Sequence, residues 1–141
     1  MDKIDRSILT ILQENARIAN VELAERVGLS PSACLRRVGQ LEKSGIVKGY
    51  HADLSLEKLG HSVLVLVNIT LNGQSANMLS EFETAVRNVP QVLACFLLAG
   101  ESDYLLRVAA RDVNDFGRIY TEYLSSLPHV MRMESNFILR E

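Results

Sequence analysis

The sequence predicts an α+β protein, with three helices in its first third and an alternation of strands and helices in the remainder. Two observations support this prediction. Apolar residues near the N-terminus recur at helical spacing, and two turns divide them into three segments. From about residue 63 the order is strand, helix, strand, strand, helix, strand. We therefore expect a helical domain over residues 1–45, an extended linker over 46–62 and a second domain over 63–141.

The first predicted helix begins at Asp2, whose carboxylate can cap the free N–H groups of the first turn. Its apolar stripe is broad enough to cover two further helices and consists of Ile4, Ile8, Leu9, Ile11 and Leu12. Residues 15–18 interrupt this pattern and end the helix. Three helices of this length can form a compact core.

The pattern of residues 20–45 predicts two short helices joined by a tight turn. Asn20 can cap the earlier helix, and Gly28 can adopt the left-handed conformation that ends it. Ser30 followed by Pro31 favours a new start, since serine caps a helix and proline suits its first position. This is the outline of a helix-turn-helix, whose second helix reads DNA.

The faces of that second helix can be separated by spacing. Cys34, Val38 and Leu41 share a buried side. The small and polar residues elsewhere on the helix are the candidate DNA contacts: Ser30, Ser32, Ala33, Arg36, Arg37 and Gln40. Small side chains allow close approach to a major groove, while arginine favours guanine and glutamine favours adenine. The alternative is an ordinary amphipathic helix with a solvated polar face.

The stretch after Gly45 is rich in β-branched and aromatic residues and is predicted to be extended. Lys48 and Tyr50 can touch a DNA backbone there, as the wing of a winged helix-turn-helix does. They can equally be surface residues of a linker strand, which we favour.

The second half of the chain has the pattern of a ferredoxin-like βαββαβ domain. Strands are predicted over residues 63–71, 92–100, 104–111 and 130–139. One helix begins at Ala76. The other begins after Asp112 as its cap, with one side made of Val113, Phe116, Ile119, Tyr120 and Leu124.

The predicted strands are apolar on both faces, which is typical of a sheet that is covered on both sides. Two helices can cover only one face of this domain. We therefore expect the other face to meet a second subunit. The alternative is that loops or the first domain cover it.

Composition limits the possible functions. The chain has a net charge of −2, and residues 1–60 carry net +1 against net −3 for residues 61–141. This balance is less basic than usual for nucleic-acid binding, although the local placement of charge matters more than the total. No nucleophile–base pair, phosphate loop or paired-carboxylate site is present, so we do not expect an enzyme.

Cysteine and histidine usage predicts no metal site and no cofactor. Cys34 and Cys95 each lie in an apolar run and are expected to be buried, reduced thiols. The three histidines have no ligand-like spacing. The N-terminus is too polar for a signal peptide, and the longest apolar run is too short to span a bilayer. We expect a cytoplasmic protein with no membrane partner.

Three motifs in order resemble the leucine-responsive regulatory protein / AsnC (Lrp/AsnC) family of bacterial and archaeal transcription regulators. They are DKIDRSILTILQENAR from Asp2, NVELAERVGLSPSACLRRVGQLEKSGIVKGY from Asn20 and AGESDYLLRV from Ala99. The resemblance covers essentially the whole chain. It implies sequence-specific binding to double-stranded DNA, a homodimer formed through the linker strand and the C-terminal sheet, and assembly into an octamer.

The resemblance also implies that the C-terminal domain binds a small effector, typically an amino acid, near a contact between dimers. The turn GxxDY forms part of that site in the family and occurs here from Gly100 to Tyr104. The residues carried over as effector contacts are Leu97, Gly100, Asp103, Tyr104, Val113, Asn136, Phe137 and Ile138. Open N–H groups near Gly100 can hold a carboxylate, and Asp103 an ammonium group. The alternative for this turn is a structural hairpin whose aspartate caps its own backbone.

These predictions describe a transcription regulator whose assembly or DNA affinity responds to an amino acid. The rival function is an amino-acid sensor that acts through protein–protein contacts rather than through DNA. Arg36 and Arg37, if both are exposed on the second helix of the helix-turn-helix, favour the regulator.

Overall fold

The computed structural model describes residues 1–140 and divides the chain into two compact units. The first unit is Met1–Asp53, and the second begins at Leu54. The division lies inside the predicted linker. In the part of the chain described, no helix is long and apolar enough to cross a membrane.

The first unit contains helices α1 (Lys3–Glu14), α2 (Asn20–Val27) and α3 (Pro31–Lys43). The three helices form one apolar core, because each contributes residues at helical spacing to the same interior. Its fully buried members are Ile8, Leu23, Ala24, Cys34 and Leu41. The predicted three-helix arrangement is confirmed.

Local hydrogen bonds set the ends of these helices. Asp2 caps α1 in a reciprocal pair with Asp5, at 2.8 Å and 2.9 Å between carboxylate oxygen and backbone nitrogen. Gly28 ends α2 at φ +70°, and Ser30 caps α3 with Pro31 at its first turn, as predicted. The predicted cap at Asn20 is wrong. Ala19 precedes α2 instead, and Asn20 Nδ2 donates to the Pro31 carbonyl oxygen at 2.8 Å, which ties α2 to α3.

The segment after α3 is only in part a linker. Val47 packs against the helical core, and the Tyr50 hydroxyl donates to Glu42 Oε1 of α3 at 2.9 Å. Residues 56–60 form turns. Within this single subunit, the described residues at 46–62 form neither a wing strand nor a linker strand, and a linker strand that pairs with a second subunit stays a prediction.

The second unit contains strands β1 (Val63–Leu71), β2 (Val92–Leu97), β3 (Tyr104–Ala110) and β4 (Val130–Phe137). Helix α4 (Ala76–Arg87) follows β1, and helix α5 (Val113–Glu122) follows β3. The strands pair antiparallel in the order β2-β3-β1-β4. This order confirms the predicted ferredoxin-like domain and, with the helical unit, the α+β class.

The two faces of the sheet differ in burial. Alternate residues of β1 and β3 point into a core with α4 and α5, and include Val65, Val67, Ile69, Leu106 and Val108. The intervening residues of the sheet form the other face, where Leu66 and Leu105 are half-buried and Phe96 is 52% exposed. Within the second unit, therefore, an apolar sheet face is not covered by α4 and α5.

Helix α5 is fixed by a charge cluster at its N-terminus. Asp112 caps the helix, as predicted, with its carboxylate 2.7 Å from the Asp115 nitrogen. The buried carboxylate of Asp115 accepts hydrogen bonds from the backbone and side chain of Arg111 and from the side chain of Arg118. Two residues assigned to the packed side of α5 are exposed instead, Val113 at 63% and Tyr120 at 41%.

Asp115→Asn is expected to lower Tm at neutral pH, with a difference from wild type that shrinks as the pH falls. Hydrogen bonds from Arg111 and Arg118 lower the pKa of Asp115. A lowered folded-state pKa stabilises the fold above the unfolded value of about 3.9, and this contribution is lost below it. Calorimetry from pH 7 to pH 3 measures the effect, with the exposed carboxylate variant Asp53→Asn as control. A Tm difference that does not change with pH would contradict it.

Candidate DNA-binding surface and effector site

Helix α3 presents one continuous exposed stripe. Ser32, Arg36 and Gln40 recur every four residues, and all three side chains are exposed. The buried side carries Cys34 and Leu41, as predicted. The exposed stripe combines a hydroxyl, a guanidinium and an amide, which are the donors and acceptors suited to base edges and phosphates.

Ser30 and Ala33, the other two predicted DNA contacts at the start of α3, are less available to DNA. The Ser30 hydroxyl is exposed but caps the helix by accepting from the Ala33 N–H at 3.3 Å. The same hydroxyl lies 3.3 Å from the Ser32 hydroxyl. Ala33 is half-buried. Ser30 therefore fixes the start of the helix, and the small side chains of Ser30 and Ala33 leave its first turn narrow.

The expectation that Arg37 shares the exposed face with Arg36 is wrong. Arg37 Nη1 lies 2.7 Å from Asp2 Oδ2 and 2.8 Å from Asp5 Oδ1, and its side chain is 27% exposed. The carboxylates of Asp2 and Asp5 raise the pKa of Arg37 further. Adjacent residues differ by about 100° around a helix. Arg37 therefore falls beside Leu41 rather than beside Arg36, a signal that the sequence already contained.

Sequence reasoning missed Leu35. This side chain on α3 is 63% exposed and lies three positions, nearly one helical turn, after Ser32. A leucine on a reading helix can contact the methyl group of thymine. Its position about 120° around the helix from Leu41 and about 60° from Ser32 is the signal that could have placed it on the exposed side.

The structure does not leave Asp103 free to hold an ammonium group. The residue is 6% exposed, and both carboxylate oxygens already have partners. Oδ2 accepts from the Leu71 N–H at 2.7 Å, and Oδ1 accepts from Gln74 Nε2 at 2.6 Å. Asp103 thus joins the hairpin turn to the end of β1 and the loop after it, and does not cap the backbone of its own turn as the structural alternative had it.

Tyr104 is buried as well and faces α4. Its hydroxyl donates to Glu83 Oε1 at 2.9 Å, and its ring centroid lies 4.6 Å from that of Phe82. Burial, followed by the hydrogen bond to Glu83, raises the pKa of Tyr104 far above its ordinary value. The side chain is therefore a neutral packing element of this unit.

Leu97 lines a half-open cavity of about 240 Å³ between β2 and α4. Glu83, Arg87 and Cys95 line the same cavity. The expectation that Cys95 is fully buried is wrong, since it is exposed, whereas Cys34 is buried. Partial burial, with a smaller contribution from Glu83, still raises the pKa of the Cys95 thiol.

The predicted effector residues form two groups at opposite ends of the sheet. Leu97, Gly100, Asp103 and Tyr104 surround the β2–β3 turn. The other group lies at the far end of the sheet, in the last two residues of β4 and just beyond β3 and β4, and consists of Val113, Asn136, Phe137 and Ile138. Phe137 contacts Phe116 edge to face, with ring centroids 5.2 Å apart. The structure does not bring the two groups together within one subunit.

The length of β1 sets the distance between the two groups of predicted effector residues. The Asp103 N–H donates to the Ile69 carbonyl oxygen, while the Ile138 N–H donates to that of Leu64. Those two residues of β1 are five positions apart, which is about 17 Å along a strand. A single free amino acid is too small to touch both groups.

Two family models together cover nearly the whole chain. Residues 1–48 match a winged helix-turn-helix DNA-binding model, and residues 64–141 match the Lrp/AsnC ligand binding domain. The chain belongs to the Lrp/AsnC family of transcription regulators. It is a DNA-binding regulator with a separate ligand-binding domain, which confirms the predicted class and function.

Curated relatives and solved structures match this chain over its full length. The chain is 41% identical over 141 residues to the leucine-responsive regulatory protein of Escherichia coli K12, covering 100% of this chain and 86% of that protein. A transcriptional regulator from Neisseria meningitidis, solved in complex with L-methionine, matches with a TM-score of 0.94 and 43% identity over 100% of this chain and 91% of that one. An AsnC family regulator from Agrobacterium tumefaciens matches with a TM-score of 0.92 and 33% identity, over 100% and 92% of the two chains.

Proposed function

We propose that the exposed stripe of α3 reads bases in the major groove, with Ser32, Arg36 and Gln40 as polar contacts and Leu35 as an apolar one. The observation that supports this is the recurrence of Ser32, Arg36 and Gln40 on one exposed stripe of the second helix of a helix-turn-helix, with exposed Leu35 beside Ser32. Small residues at Ala33 and Gly39 allow that face to approach the DNA closely. Ser30 then sits at the edge of the contact, as the cap of the reading helix.

The functional unit is a dimer at minimum, and larger assemblies up to an octamer can be built from it. The open apolar face with Leu66, Phe96 and Leu105 supports this proposal, because burying such a face between subunits is favourable. Two copies would read half-sites about one helical turn, or a multiple of that, apart. Light scattering at micromolar concentration tests it, since a stable monomer would refute the dimer.

The effector is an amino acid. The matched domain is a ligand-binding domain, and the Neisseria relative was solved with L-methionine. Leu97, Val113 and Ile138 offer apolar surface, so an apolar amino acid should bind better than an acidic one. The protein works as a cytoplasmic regulator with no catalytic role.

The effector site is shared between subunits. Within one subunit, the turn at Gly100 and the group around Ile138 are too far apart for one ligand, as the spacing along β1 shows. If both groups touch the same amino acid, they must come from different copies. The turn then supplies backbone N–H groups for the carboxylate, and the far end of another sheet supplies Asn136 and apolar contacts.

Thermal-shift screening against the twenty amino acids should identify a ligand that raises Tm, since binding to the folded state alone stabilises it. Two single variants, Gly100→Val in the turn and Ile138→Asp at the far end, should each lose this response. Mixed oligomers prepared from both variants should recover part of it, because some shared sites then contain two intact halves. Val21→Ala, on the exposed surface of α2, serves as control.

Recovery in the mixture is the result that separates a shared site from a site within one subunit. No recovery in the mixture, although each single variant has lost the response, would contradict the shared site. A response to no amino acid would remove the amino-acid effector and leave DNA binding as the function. Binding to the gene's own upstream region in a gel-shift assay separates the regulator from a sensor that acts only through protein contacts.

A further inference from the structure

We propose that Arg37 is a positioning residue for DNA recognition: it holds α3 against the start of α1 and does not itself read the DNA. The inference rests on α3 being the reading helix. Sequence patterns place Arg36 and Arg37 together as candidate contacts, but the structure gives them different surroundings. Arg36 is exposed, whereas the Arg37 guanidinium lies between two carboxylates of α1.

The carboxylates that hold Arg37 are already fixed by the backbone of α1. Asp2 Oδ1 accepts from the Asp5 N–H, and Asp5 Oδ2 accepts from the Asp2 N–H. The remaining oxygens, Asp2 Oδ2 and Asp5 Oδ1, both accept from Arg37 Nη1. All four oxygens are therefore engaged, and the acceptors cannot rotate away without breaking the helix cap. We name this group of three residues the Arg37 clamp.

The clamp acts on the orientation of the reading helix. Asp2 and Asp5 lie 35 and 32 positions before Arg37, so the contact joins the first helix to the third across the domain. Arg37 follows Arg36 directly on α3, and a small rotation of the helix would move the exposed stripe relative to a groove. Base contacts need a fixed geometry, whereas phosphate contacts tolerate small shifts. Losing the clamp should therefore reduce specific binding more than non-specific binding.

The two roles for Arg37 predict opposite effects of removing its acidic partners. In Asp2→Asn/Asp5→Asn, both side chains can still cap through their amide oxygens, but the negative charges are gone. If Arg37 contacts DNA, this variant frees it and removes repulsion from phosphates, so DNA affinity rises. If Arg37 positions α3, affinity for the preferred sequence falls.

The experiment measures binding of the full chain to two duplexes by fluorescence anisotropy over a range of salt concentrations. One duplex carries a sequence selected from a random pool by the wild-type protein, and the other is a scrambled control. We expect Asp2→Asn/Asp5→Asn to weaken binding to the selected duplex about tenfold. Binding to the scrambled duplex should change little, and the salt dependence should match wild type. Adding Arg37→Ala to this variant should cause no further loss.

Arg37→Lys keeps the charge and tests the same point without deleting the side chain. Lysine can reach a phosphate but cannot reproduce a guanidinium held between two carboxylates. Loss of specific binding in Arg37→Lys, with an unchanged thermal unfolding curve, supports positioning when Asp2→Asn/Asp5→Asn, which keeps Arg37, shows the same loss. Three results would overturn it: higher affinity in Asp2→Asn/Asp5→Asn, equal weakening of both duplexes with a reduced salt slope in Arg37→Ala, or no sequence preference in the wild type.

Discussion

Arg36→Ala is expected to cause the largest loss of DNA binding of any single change on α3. Arg36 is exposed in the middle of the stripe formed with Ser32 and Gln40, where its guanidinium can donate two parallel hydrogen bonds to guanine. Removing a base contact of this kind costs about 1–3 kcal/mol and relaxes specificity at one position. If the contact is to phosphate instead, binding weakens equally for all sequences and the salt slope falls by about one.

Anisotropy titrations with selected and scrambled duplexes measure this effect. Arg87→Ala is the matched control, because it removes the same charge from α4 in the second unit. Thermal unfolding of Arg36→Ala should match wild type, since the side chain is exposed. An affinity equal to wild type for both duplexes would remove the assignment of α3 as the reading helix.

Asp103→Ala is expected to have the largest effect on stability. The carboxylate is buried and accepts hydrogen bonds from the Leu71 N–H and from Gln74. Deleting it leaves those donors without their acceptor in the interior, with a cost of about 2–4 kcal/mol. For a unit of this size, that corresponds to a decrease in Tm of roughly 10–20 °C.

Calorimetry with and without an amino acid separates this structural role from direct ligand contact. Glu101→Ala, an exposed change in the same turn, is the control and should leave Tm close to wild type. A variant Asp103→Ala that unfolds like wild type but no longer responds to the ligand would show that the carboxylate serves the effector instead. Loss of stability in the absence of any ligand is the expected result.

Local hydrogen bonds explain why so much of the fold could be predicted. The caps at Asp2, Ser30 and Asp112 and the left-handed Gly28 join residues within a few positions of one another, so their effect can be deduced from neighbouring letters. The same holds for the apolar spacing that places Cys34 and Leu41 inside. The order of strands and helices follows from these local signals and leads to one ferredoxin-like arrangement.

Three predicted site residues have surroundings that depend on partners distant in the chain. Arg37 meets Asp2 and Asp5 across the helical unit, Asp103 meets the loop after β1, and Tyr104 meets Glu83 on α4. A sequence motif does not show whether a charged side chain is already occupied by a hydrogen bond or an ion pair within the protein. For that reason, the sequence interpretation treats Asp103 as available to a ligand. The grouping of Arg37 with Arg36 had a second cause, because it overlooked the helical position of Arg37 beside Leu41.

The sequence by itself determined the secondary structure, the core of each unit and the family, because these follow from periodicity, capping and ordered motifs. Only the tertiary structure decided which polar side chains remain available for binding. Burial and hydrogen-bond satisfaction are properties of contacts between distant segments. Arg36 remains exposed while Arg37 is held by Asp2 and Asp5. The predicted effector residues lie at opposite ends of one sheet, because β1 extends between them.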